Sequence, residues 1–208
     1  MANNMANNVC DSLIKQNIAK NCLEPMIQGV ERTAYIINRK DVDFGNVEFV
    51  EGTTNQIRAL PLLKGKKAYT IEQYGQTPYS GSSIAIAPSA QGGQATNTIS
   101  IVVPSNSPAI HENVIDPMFD GEFMMILENK AKNLRDTANP GASAFQLFGY
   151  WQGLTLAEST KEFYNDDTSG GFPITLVENK APKSAMFLNA GSYEATKAMV
   201  ESLLVVAE

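Results

Sequence analysis

The chain has 208 residues, 43% of them hydrophobic, with 15 Gly and 10 Pro, which fits one packed domain and excludes a collagen-like or disordered polymer. Sixteen Lys and Arg against 22 Asp and Glu leave a formal net charge of -6, which opposes binding driven by neutralising phosphates. No window approaches the roughly 18 apolar residues that span a bilayer, and the first residues lack the basic and apolar regions of a signal peptide, so a non-exported protein without a membrane partner is expected.

Residues 1–8 repeat Met-Ala-Asn-Asn and are expected to be a disordered lead-in to a single β-rich domain over 9–208. From Cys10 the apolar positions Leu13, Ile14, Ile18 and Cys22 approximate a helical period that Pro25 stops, giving either a short amphipathic helix or an extended arm. After Gly29 short runs of branched and aromatic residues alternate with Gly, Pro and Asn. These predict strands at 34–37, 47–50, 56–60, 68–74, 84–87 and 98–103, then at 122–128, 144–150, 154–159, 174–178 and 184–188. The strand within 121–130 is apolar at consecutive positions, as a strand covered on both faces requires. Ser192 reads as the N-cap of one C-terminal helix whose positions Ala195, Met199, Leu203 and Val206 are expected to face a sheet. The fold class that follows is mainly β: two packed antiparallel sheets, sandwich- or barrel-like, flanked by the C-terminal helix.

The chemical inventory leans away from enzymes. His111 is the single histidine, and Cys10 and Cys22 are the only thiols, so triads, two-His metal sites and all-Cys zinc sites lack their parts. Gln91-Gly-Gly-Gln has neither the Lys nor the following helix of a phosphate loop, and Tyr79-Ser-Gly-Ser-Ser is not a nucleophile elbow. Residues 165–171 miss the spacing of a calcium loop and read as a hairpin turn. The pairs Glu158 with Glu162 and Asp116 with Asp120 read as solvated surface, and Phe145, Phe148, Tyr150 and Trp151 as core. No catalytic residue, metal ligand or cofactor is assigned.

Residues 73–111 contain no Asp, Glu, Lys or Arg. Edge strands are normally guarded by charge, so an unguarded, strand-rich stretch fits pairing between subunits, with Ile84, Ile86, Ile99, Ile101 and Val103 as the inter-subunit residues. The same stretch also reads as a buried hairpin with a polar loop at 91–94.

Two regions resemble the major tail tube proteins of tailed phages and prophages: Cys22-Leu-Glu-Pro-Met-Ile-Gln-Gly-Val-Glu-Arg-Thr-Ala-Tyr, continuing to Asp41, and Ala144-Phe-Gln-Leu-Phe-Gly-Tyr-Trp-Gln-Gly, followed by Tyr164-Asn-Asp-Asp-Thr-Ser-Gly-Gly-Phe-Pro and Ala181-Pro-Lys. The resemblance implies two antiparallel sheets with a flanking helix, six copies per ring, and rings stacked as a tube through which DNA passes without specific binding. It also implies other tail proteins as partners and a place in the virion after assembly in the host cytoplasm. An acidic chain suits such a tube, because a negative wall lets the DNA backbone slide. The competing readings are a capsid decoration or another tail or baseplate accessory protein, and a carbohydrate-binding module, against which the burial expected of Trp151 counts.

Overall fold

The computed structural model describes Ile14, Asn17, Ile18 and residues 27–89, 92–136 and 140–207. The repeat at 1–8, both cysteines and most of the 10–23 amphipathic pattern lie outside these residues. Each strand expected from the sequence is present: β1 Val30–Asn38, β2 Glu48–Phe49, β3 Gln56–Ala59, β4 Tyr69–Glu72, β5 Ser83–Ser89, β6 Gly92–Val103, β7 Phe123–Asn129, β8 Phe145–Phe148, β9 Thr155–Glu158, β10 Phe172–Ala181 and β11 Met186–Leu188. They form a seven-stranded sheet in the order β2-β3-β11-β8-β7-β1-β4 and a four-stranded sheet in the order β5-β6-β10-β9.

The seven-stranded sheet is buried on both faces, and this explains the unbroken apolar run of β7. Met125 and Leu127 join Ala34 and Ile36 of β1 against the four-stranded sheet, where Ile99, Ile101, Ile174 and Leu176 meet them. Met124 and Ile126 face the other way with Ile37, Phe145, Leu147 and Met186, under the C-terminal helix. The result is three layers: small sheet, large sheet, helix.

The helix spans Tyr193–Ser202, and Ser192 caps it by accepting a hydrogen bond from Ala195 N at 3.2 Å. Its buried face is rotated from the expected one. Thr196, Val200 and Leu203 are buried and Met199 is partly covered, whereas Ala195 and Val206 are exposed. The rotation follows from Tyr193, whose ring stacks on Phe145 at 5.8 Å and fixes which side faces the sheet, and from Thr196, whose hydroxyl donates to Ser192 O at 2.7 Å.

Two further features depart from the sequence reading. β3 and β11 pair in parallel, Leu188 opposite Ile57, which is open to strands so far apart in the chain because no tight turn joins them. Between β6 and β7, residues left without an element form consecutive helical turns, Pro108–Ile110, His111–Ile115 and Asp116–Met118, begun by Ser107 accepting from Ile110 N. These turns tuck Ile115 and Met118 into the core.

Candidate self-association surface

Period-two alternation gives β5 and β6 one apolar face each, and their register places both on one side of the small sheet, with Ile84 opposite Asn97 and Ile86 opposite Ala95. Along β6 that face is covered: Ala95, Asn97, Ile99 and Ile101 are all buried. Along β5 it is not, since Ile84 is 38% and Ile86 73% exposed. The difference comes from position in the sheet. β6 lies between β5 and β10 above the large sheet, while β5 is an edge strand whose sole neighbour among the described residues is β6.

The five residues expected at a joint therefore divide. Ile99 and Ile101 point into the core, Val103 is partly covered against it, and only Ile84 and Ile86 stand at the surface. Neither expectation for residues 73–111 covers the segment alone: β6 is a buried strand, and β5 is an overhanging one. Pro88, opposite Gly93 near the hairpin tip, is the one residue of β5 that interrupts pairing along its edge, and no charge guards the rest.

The hairpin is anchored by a group the sequence reading passed over. Glu178 of β10 is 1% exposed, and its carboxylate accepts four hydrogen bonds from neutral donors. Asn97 Nδ2 at 2.7 Å and Gly149 N at 3.1 Å reach Oε2, while Trp151 N at 2.9 Å and Gln152 N at 2.8 Å reach Oε1. A carboxylate needs several acceptor sites filled when it leaves water, and a tight turn supplies converging N–H groups. Gly149 makes that turn possible, with φ at 80° and a backbone so close to Phe123 O that a Cβ would collide. The signal was present in the strand itself: Ile174, Leu176 and Glu178 share the inward face at period two.

The turn held by Glu178 carries Tyr150 and Trp151. Tyr150 meets Phe44 at 5.7 Å, Phe49 at 6.2 Å and Trp151 at 5.1 Å in edge-to-face contacts, and Arg39 Nη2 donates to Trp151 O at 2.9 Å. Of the expected aromatic core, Phe145 and Phe148 are buried, on opposite faces of β8, and Tyr150 and Trp151 are partly covered at the surface.

His111 Nε2 lies 3.0 Å from Asn106 Oδ1, and its ring meets Phe172 edge-on at 5.3 Å. Glu158, Glu162, Asp116 and Asp120 are all exposed. Among the described residues no group of three His, Cys, Asp or Glu side chains is placed to hold a metal ion, and no helix is long and apolar enough to cross a membrane.

Compared with protein-family models, with curated proteins and with solved structures, the chain matches none.

Proposed function

We propose that this chain is a structural virion protein that self-assembles, without a chemical step, into rings stacked as the tube of a phage tail. The observation that carries the reading is the overhang of β5, an edge strand with no charged side chain and with Ile84 and Ile86 uncovered on one face. A monomer gains nothing from such an edge, whereas a second copy can extend the sheet across it and cover both isoleucines. Among the described residues the opposite edge of the same sheet is β9, and a β5-to-β9 contact joins two different surfaces, the kind of contact that forms rings when its rotation closes. The resemblance of 22–41 and 144–183 to tail tube proteins supplies the six-fold ring and the passage of DNA.

Sedimentation velocity and negative-stain micrographs of the purified full chain test this. Rings or tubes are the expected species, and Ile86→Lys shifts them to monomer with an unchanged melting temperature, because an ammonium then occupies the joint but no core position. A wild type that stays monomeric at tens of micromolar overturns the proposal. Discrete trimers that decorate a preformed shell would favour the accessory-protein reading instead.

A further inference from the structure

The connection between β9 and β10, residues 159–171, carries the most exposed aromatic pair among the described residues: Tyr164 is 100% and Phe163 74% exposed. Solvent-facing aromatics on a floppy loop would mean little. This loop is braced from within: Asn165 Oδ1 accepts from Asp167 N at 2.8 Å and Thr168 N at 3.3 Å, Gly170 N donates to Asn165 O at 3.2 Å, and Gly171 N donates to Thr168 O at 2.9 Å. Lys161 Nζ lies 5.0 Å from the Phe163 ring centre and 4.9 Å from that of Phe172, which ties the loop to the start of β10. A braced loop loses little freedom on docking, and aromatic side chains are the residues that most often dominate the energy of an interface.

The charges around the pair indicate what it meets. Glu158, Glu162, Asp166 and Asp167, all exposed, flank the pair along the chain, and Lys161 is the one cation between 158 and 171, so the chemistry that fits it is a cationic surface. The described residues include such a concavity. A cavity of about 600 Å3 opens beside the start of β1, the end of β7 and the first turn of the helix, and Arg32, Lys130, Lys132 and Lys197 line it against Glu31 and Glu128. The excess of cations there runs against the charge of the whole chain.

Cavity and loop lie at the same end of the sandwich. Gln73, just past β4, exchanges hydrogen bonds of 2.9 Å with both Val102 N and Val102 O at the end of β6, opposite Pro173 of β10. The turn containing Gly75 and Pro78 separates them: it borders the cavity on one side and, on the other, a groove walled by Asp167 and Thr168. Within one chain the two are not joined, because Tyr164 is wholly exposed.

We infer that the partner of the loop is a second copy of this chain, with Phe163 and Tyr164 of one copy docking at the Arg32, Lys130 and Lys197 cavity of the next. The inference rests on the self-assembly proposed above and adds a second contact to the β5 edge.

A charge swap tests it. One variant, Asp166→Lys with Asp167→Lys, makes both loop and cavity cationic; the other, Lys130→Glu with Lys197→Glu, makes both acidic. Each alone should need about tenfold more protein than wild type to assemble, and a mixture of the two should assemble like wild type, since each loop then faces a cavity of opposite sign. Tyr164→Ala, which touches no core residue, should weaken assembly of the wild-type background by about tenfold, and added salt should weaken it further. If wild type forms rings and both charge variants form them equally well, the loop contact is wrong and the proposed function stands. A wild type that never leaves the monomer overturns both.

Discussion

Replacing Glu178 tests the physical account of the fold most severely, because one side chain serves four donors. In Glu178→Ala, Asn97 Nδ2 and Gly149 N lose their acceptor in fully buried surroundings, and Trp151 N and Gln152 N lose theirs where water can partly take over. At about 1–3 kcal/mol for each buried donor left unmade, the first two alone cost about 2–6 kcal/mol, a large share of the roughly 5–15 kcal/mol that holds a domain together. Glu178→Gln should cost less. Its oxygen can keep the Trp151 and Gln152 donors, and Asn97, whose Oδ1 has no hydrogen-bond partner, can turn that oxygen to accept from the new amide. Only Gly149 N then faces a donor, for a loss of about 1–3 kcal/mol. Thermal unfolding is the assay, followed both by far-UV circular dichroism and by the emission of Trp151, the single tryptophan, which sits on the turn in question. The Ala variant should melt about 10 °C lower, with the Gln variant between it and wild type. An Ala variant that melts within about 2 °C of wild type, with Trp151 emission unchanged, would refute the argument that the carboxylate holds the turn.

The helix offers a sharp contrast between neighbours: Val200→Asp should lower stability by several kcal/mol because an unpaired carboxylate enters the core, whereas Ala195→Asp, on the exposed face, should shift the melting temperature by no more than a degree or two. Burial raises the Tyr79 phenol above its ordinary value of 10.0, so the folded chain binds that proton more tightly than the unfolded one. The contribution is complete below about pH 10 and is lost as pH rises past that toward the folded value; melting temperature against pH should fall there, and less steeply in Tyr79→Phe. Ile101→Lys should unfold the chain while Ile86→Lys should only prevent assembly, although both place the same charge on the same face of one hairpin.

The strands were legible because each alternates or runs apolar over a length that only a strand accommodates, with Gly, Pro or Asn at its ends. The helix start was legible in Ser192 for the same local reason. What the sequence did not carry was which of two faces finds a cover. Ala195 and Val206 fit a helical stripe as well as Thr196 and Val200 do, and the choice is made by Tyr193 stacking on Phe145, a contact between residues far apart in the chain. Glu178 shows the converse: its inward position followed from the alternation, yet a charged residue at a strand end reads as surface until the converging N–H groups of residues 149–152 are seen. The parallel pairing of β3 with β11 leaves no mark on either strand, since a strand has the same pattern whichever way its neighbour runs.

The two isoleucine pairs of the hairpin set the scale of what assembly must supply. Ile99 and Ile101 are paid in full by the core, at about 1.5–3 kcal/mol each for complete burial. Ile84 and Ile86 leave part of that gain unclaimed, the larger part at Ile86, and covering both against a second copy would return about 2–3 kcal/mol. Association costs an estimated 4–15 kcal/mol in lost translational and rotational freedom before any contact is counted. Apolar cover alone therefore does not hold two copies together, and the net negative charge of each copy makes the deficit larger. In the proposed assembly, backbone pairing along β5 would add to the apolar cover, and the inferred docking of the acidic loop at the cationic cavity would supply a contact in which charge attracts. Losing the loop contact should therefore raise the protein concentration that rings need by about tenfold, whereas Ile86→Lys, which puts an ammonium into the joint itself, should prevent them.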